Sequence, residues 1–366
     1  MAQNIIFLIT DLDLGGSPLM VRALARGLRE TGHWNPTVVS IKSAGVVAKW
    51  IRVEGSEVFS LHARSVRDFD AIKRYVRIIN HLEPDIIFSV LVHANILAAM
   101  CKRAGPPCRY VQSIHTLQDK PAWHWRAQGL VNGAADAIIA PSRAVLEKIA
   151  AHGHFARGQV IPNGIDCHEM ARAQPVPSEE LPWEASVKVV GYIGRFDRVK
   201  NLDRLILEFS QALIADYAAW QNVHLALVGY GKEEPQLKSL AKQYGIRSHV
   251  HFCGRTFRPA AWMKRFDVTV MPSLVEGFGL TVIESMACRT PVVAYDAPAV
   301  NEIITDGKTG LLAAPGTPGS LMQCVYRVLH NAELSADLSK NGEQLARQLY
   351  SQEQMIRRYD DFLRQI

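Results

Sequence analysis

The chain has 366 residues, 48% hydrophobic and 21% charged, with 41 Lys and Arg against 35 Asp and Glu for a net charge of +6. That length suits two domains with ordinary cores, and the composition excludes a disordered, collagen-like or membrane-spanning chain. The small, dispersed positive excess excludes a concentrated nucleic-acid-binding stripe while suiting anionic small ligands or an anionic membrane surface. The longest apolar stretch, Ile86 to Met100, is broken by Ser89, His93 and Asn95. It falls short of the ~20 residues a membrane helix needs and reads as a buried strand plus a helix start. The six cysteines form no CxxC pair, and the first ten residues, MAQNIIFLIT, lack the basic start and small-residue cleavage site of a secretory leader. A reducing cytoplasm is the expected setting, with the inner face of the membrane as a peripheral location.

In chain order, Asn4 to Thr10 reads as a strand, Gly15-Gly16 as a turn, and Leu19, Met20, Ala23, Leu24 and Leu28 as one face of a helix. Ser17 is the expected N-cap and Pro18 the first helical residue. The strand-type runs TVVSI, DIIFSV, RYVQSI and AIIAPS follow, alternating with helical patterns. Between the first two, ARSVRDFDAIKRYVRII sets Val66, Phe69, Ile72, Tyr75, Val76 and Ile79 on one helical face, with five basic and two acidic residues over 64–77. It reads as an amphipathic helix covering the sheet; the alternative is a helix lying on an anionic leaflet. Trp123, His124, Trp125 and Arg126 form a second amphipathic patch.

The proline-rich, aperiodic residues 172–186 are the expected linker, dividing an amino-terminal domain, 1–171, from a carboxy-terminal domain, 187–351. The architecture then restarts: Lys188 to Ile193 as a strand, the loop GRFDRVKN, a helical pattern from Leu202 to Leu213, and the runs HLALVG, HVHFCG, VTVMPS and PVVAY. Continuous apolar strands alternating with helices predict two parallel, doubly wound α/β sheets. Ligands bind such sheets at the carboxyl ends of the strands. The GYG at 229–231 follows HLALVG, which puts Gly229 near such a ligand.

The most informative segment is EGFGLTVIE, where Glu276 and Glu284 flank a glycine-rich turn and a helix start. Gly277 and Gly279 let the backbone approach a ligand closely, and the free amides of a helix beginning near Leu280 make a phosphate site. Glu276 sits at the loop's start, and Glu284, about one turn into the helix, suits vicinal ribose hydroxyls. The alternative is a tight turn followed by a solvated helix residue. Two DxD strings, Asp11-Leu12-Asp13 and Asp68-Phe69-Asp70, fit chance, since seventeen aspartates in 366 residues yield about one such string. Nor is there a His/Glu cluster at metal-ligand spacing, so no metal is expected.

EGFGLTVIE, GRFDRVKN, the GGSP loop and VIPNGID together resemble, in order and spacing from residue 4 to about 316, the retaining glycosyltransferases of family GT4. The family more often has Ala and Glu where Ser17 and Pro18 stand. The resemblance implies the GT-B fold, two Rossmann-like domains facing a central cleft, with a final helix (about 352–366) crossing back to the first. It gives Arg195 and Lys200 the β-phosphate of a nucleoside diphosphate, whose negative charge grows as the glycosidic bond breaks. Glu276 would contact the donor sugar, and Glu284 the ribose. The Gly277, Phe278, Gly279 and Leu280 amides would hold phosphate, and Gly229 and Arg255 would line the nucleotide site. On the amino-terminal side Gly16 and His115 would face donor sugar and acceptor, while His93 shapes a loop and His33 is structural.

The expected activity is transfer of a sugar from a nucleotide-sugar donor to a carbohydrate, lipid-linked or small-molecule acceptor, as in cell-envelope polysaccharide, lipid-linked glycan or glycolipid synthesis, without cofactor, metal or nucleic acid. Two alternatives are a nucleotide-sugar epimerase of the same fold and a catalytically silent nucleotide-sugar-binding protein. Intact Arg195, Lys200, Glu276 and Glu284 argue against the silent copy.

Overall fold

The computed structural model describes residues 2–65, 68–184 and 186–366, so Met1, Val66, Arg67 and Ala185 lie outside the described residues. The chain forms two compact units, Met1–Gly164 with Gln352–Ile366, and Ile165–Ser351.

The first unit has strands β1 (Gln3–Ile9), β2 (Trp34–Ser40), β3 (Glu57–Ser60), β4 (Ile86–Val90), β5 (Arg109–Ser113), β6 (Ala137–Ala140) and β7 (Gly158–Val160) in the order β3-β2-β1-β4-β5-β6-β7. The second has β8 (Lys188–Ile193), β9 (Val223–Val228), β10 (Val250–Phe252), β11 (Val268–Met271), β12 (Val292–Tyr295) and β13 (Leu311–Ala313) in the order β10-β9-β8-β11-β12-β13. Neighbouring strands pair in parallel, with registers such as Ile5 opposite Ile86 and Thr269 opposite Val292. Buried side chains cover both faces of each sheet, as an all-parallel sheet flanked by helices requires.

The helix Phe69–Leu82 buries Ala71, Tyr75 and Ile79, with Ile72 and Val76 packed against the same core and Phe69 left exposed. Most of its apolar face is therefore spent on the sheet. No described helix is long and apolar enough to cross a membrane.

Three features differ from the expectation. Residues 172–186 are no free linker: Val176 is fully buried, its amide donates to Ala261 O (3.1 Å), and Arg265 Nε donates to Val176 O (2.5 Å). Prolines deny this stretch periodicity, but one apolar side chain and its backbone anchor it to the second unit, and the units divide at 164/165 and 351/352. The first helix, Gly16–Glu30, is capped by Gly15 in extended conformation, not by Ser17. Pro18 is tolerated because first-turn amides have no intrahelical acceptor. Finally, Trp125 does not belong to a surface patch; it is 5% exposed, and its Nε1 donates to Gln118 O (2.8 Å).

The helix Gln352–Leu363 buries Met355, Tyr359 and Phe362 in the first unit's core against the helix Gly16–Glu30. Trp34 Nε1 donates to Asp360 Oδ1 (2.7 Å) and His33 Nδ1 lies 3.1 Å from the same carboxylate. The two helices approach so closely that a Cβ on Gly27 would lie 2.0 Å from Ile356 Cδ1. Gly27→Leu is therefore expected to destabilise the first unit by ~1–3 kcal/mol in urea unfolding, and Ile356→Ala in the same chain to restore part of the loss.

Candidate active site

In the second unit the connections on either side of the β8/β11 boundary run to opposite ends of the sheet, leaving a crevice outside the carboxyl ends of these two strands. The loop after β8 supplies Arg195 and Lys200, and the loop after β11 supplies Glu276 to Gly279. Lys200 Nζ lies 2.6 Å from Glu276 Oε1, joining the two loops with both side chains largely buried. Asn201, in the left-handed region (φ 57°), donates through Nδ2 to Pro272 O (3.0 Å), and Thr281 Oγ1 lies 3.5 Å from Ile193 O. Sequence reasoning missed Asn201, although an Asn before a helix is a residue suited to such a backbone. Arg195 projects into solvent beside Asp197 (2.8 Å).

The helix Leu280–Ala287 opens at Gly279 (φ 107°), with no side-chain cap and no acidic residue in its first turn. A Cβ on Gly279 would meet only ordinary van der Waals contacts, so the left-handed backbone, not space, calls for glycine there. Within this first turn the Val282 amide donates to Gly279 O (3.0 Å), which leaves the Leu280 and Thr281 amides and the positive end of the helix dipole to receive an anion. The side chain of Phe278 turns inward, edge-on to Tyr350 with ring centres 5.8 Å apart, so its backbone alone is presented at the turn.

Glu284 is largely buried, and no ion pair or side-chain hydrogen bond is found for it among the described residues. Burial alone pushes its carboxyl from the ordinary 4.5 up to about 7. An isolated, half-ionised carboxylate one turn from a free helix N-terminus is the kind of perturbed group that marks a binding site.

Gly229 (φ 144°) has a packing reason of its own: a Cβ there would lie 1.9 Å from Gly194 O. Its amide donates to Gly254 O (2.8 Å), tying the loops after β9 and β10 together, while the Gly194 amide after β8 donates to Val228 O (3.0 Å). Arg255 is exposed and lies over Tyr230 and Phe257, 5.1 and 5.0 Å from the ring centres.

Gly16 and His115 belong to the first unit, at the carboxyl ends of β1 and β5. His115 Nε2 lies 2.8 Å from Ser113 Oγ, whose own hydrogen goes to Ile139 O (2.9 Å). That pattern makes Nε2 the donor and leaves the lone pair on Nδ1. Burial holds the imidazole down at about 4, so it is neutral at physiological pH. Among the described residues no group of three or more His, Cys, Asp or Glu is arranged to hold a metal ion.

Two Rossmann-like parallel-sheet units, one with a phosphate-type crevice at its switch point, are the architecture of the GT-B fold. The solved structures with this fold include Anabaena HepE in complex with UDP and glucose (TM-score 0.86, 20% identity, all of both chains) and sucrose-phosphate synthase from Thermosynechococcus elongatus (TM-score 0.83, 20% identity, 99% of both chains). Residues 177–345 match the family model for glycosyl transferases group 1, and residues 14–169 match that for glycosyltransferase family 4. The chain belongs to this GT4-type family of glycosyltransferases. Curated relatives include a D-inositol 3-phosphate glycosyltransferase of Catenulispora acidiphila, 29% identical over 66% of this chain, and a phosphatidyl-myo-inositol mannosyltransferase of Mycobacterium leprae, 32% identical over 47%. The alignments span 61% and 44% of those two relatives' lengths.

The raised Glu284 carboxyl fixes a sign. Between 4.5 and about 7 the unfolded chain gives up a proton that the folded chain keeps, so this group's contribution to stability falls as pH rises through that window. Glu284→Gln removes the penalty. The variant is expected to be more stable than the parent by ~1–3 kcal/mol at pH 8 in denaturant unfolding, with the gain vanishing towards pH 4.5.

Proposed function

We propose that the chain is a retaining, metal-independent glycosyltransferase that moves a sugar from a nucleoside diphosphate to an acceptor hydroxyl. The observation that carries this reading is the meeting, in one crevice, of the Lys200–Glu276 pair, an uncapped helix N-terminus and an unpartnered Glu284. The bond between the anomeric carbon and the β-phosphate oxygen breaks, the sugar passes to the acceptor oxygen, and the acceptor's proton is released. Lys200 retains donors beyond the one given to Glu276, and with Arg195 it stabilises the charge gathering on the departing phosphate. The amides of the Gly277, Phe278, Gly279 and Leu280 turn receive the diphosphate, Glu276 holds sugar hydroxyls, and Glu284 bridges the ribose. Neutral His115, with Nδ1 unprotonated, serves the sugar and acceptor side, together with the Gly15-Gly16 turn. The HepE complexes make uridine diphosphate the first nucleotide to test, and the inositol-directed names of the curated relatives make a polyol hydroxyl a reasonable first acceptor. The reading is compatible with a cytoplasmic enzyme of envelope glycan or glycolipid synthesis.

Arg195→Ala and Lys200→Ala should each raise the chemical barrier by ~2–4 kcal/mol while weakening donor binding far less, in single-turnover transfer or donor hydrolysis. Unchanged turnover in both would remove their role. Activity should persist in EDTA, and loss that manganese restores would refute metal independence. Calorimetric titration with bare nucleoside diphosphate separates the glutamates: Glu284→Gln should weaken binding by ~1–3 kcal/mol and Glu276→Gln hardly at all.

A further inference from the structure

A second cavity, of about 490 Å³, lies within the first unit. That size falls among small-molecule pockets. It begins at the carboxyl edge of the sheet, where Thr10 follows β1, Lys42 follows β2 and His93 opens the helix after β4. From there it is walled by Ile72 on the helix Phe69–Leu82, and by Leu97 and Met100 on the helix Val92–Cys101. Helices in such units run back alongside the strands, so seven residues from His93 to Met100 cover ~10 Å away from the sheet's edge. The polar groups therefore sit at one end and the apolar wall extends from it.

The polar end is nearly charge-neutral. Lys42 Nζ lies 3.7 Å from an Asp11 carboxylate oxygen. Arg64 at the rim is balanced by Asp68, whose carboxylate accepts from the backbone amides of Arg64 and Ala71 (3.1 and 3.0 Å). The Thr10 hydroxyl is buried and has no hydrogen-bond partner among the described residues. His93, edge-on to Trp123 with ring centres 5.4 Å apart, is kept neutral by burial and by the Lys42 charge. The neutral imidazole of His93 offers one donor and one acceptor at the cavity wall, which suits a hydroxylated head without net charge. At the far end Met100 is 66% exposed, leaving the apolar wall open to solvent.

We propose that this cavity seats the acceptor, and that the acceptor is an amphiphile, with a neutral hydroxylated head at Thr10, Lys42 and His93 and an apolar chain between the two helices. The assignment rests on the transferase reading above, to which it adds the substrate class.

Calorimetric titration of the full chain with octyl β-D-glucopyranoside below its micelle concentration, against methyl β-D-glucopyranoside, tests it. The octyl compound should bind at least about tenfold more tightly, since burying even two of its extra methylenes supplies that much. Leu97→Glu should abolish the difference, with thermal melting as the check on folding. Met100→Lys, at the exposed end, takes its place if the first variant does not fold. Equal binding of the two glycosides by the parent chain overturns the proposal, as does an octyl preference that survives both variants. Donor hydrolysis on the same preparation separates the two readings. Hydrolysis without a chain-length preference leaves the transferase standing and refutes the amphiphile. A preference without donor binding or hydrolysis refutes the transferase and the acceptor role together.

Discussion

The crevice of the second unit follows from one constraint, the right-handedness of connections between parallel strands. Because β9 and β10 are laid down on one side of β8, and β11 to β13 on the other, the segments leaving β8 and β11 depart to opposite faces and cannot fill the space between them. The backbone there is bridged by side chains instead. Lys200 reaches Glu276, Asn201 reaches Pro272 O, and Thr281 approaches Ile193 O. The first unit repeats the geometry at β1 and β4, and its polar cavity end lies there too.

The site is also where the fold gives up stability. A carboxylate that no cation relieves among the described residues and a helix left without a side-chain cap are each less favourable than the ordinary alternatives. Glu284 has no ion pair or side-chain hydrogen bond among the described residues, whereas Gly229 has a steric reason in Gly194 O.

Much of this was legible in the sequence because buried parallel strands are written as continuous apolar runs. TVVSI, DIIFSV, RYVQSI, HLALVG and PVVAY each fall on a strand. The strands that escaped reading are β3, β7 and β13, all short and all at sheet edges, where EVFS and GQV need no unbroken apolar run. The site residues could be named from spacing and family pattern, since loop positions after strands are fixed by chain order. Their pairing could not. That Lys200 meets Glu276, that Glu284 meets no partner among the described residues, and that Trp125 turns inward depend on tertiary distances that composition and periodicity do not encode. The proline-rich stretch misled for the same reason, because one buried valine at 176 outweighs three prolines in deciding which unit a segment joins.

The helix Gln352–Leu363 belongs to the core of the unit that begins the chain, with the whole of Ile165–Ser351 in between. During synthesis, which proceeds at roughly 5–20 residues per second, the second unit is complete while the first still lacks Met355, Tyr359 and Phe362. Until they emerge from the ribosome, the apolar stripe of Gly16–Glu30 and the indole nitrogen of Trp34 have no native cover. The part of the molecule made first is thus the last to close, and for about ten to forty seconds of translation it is the half in need of a chaperone.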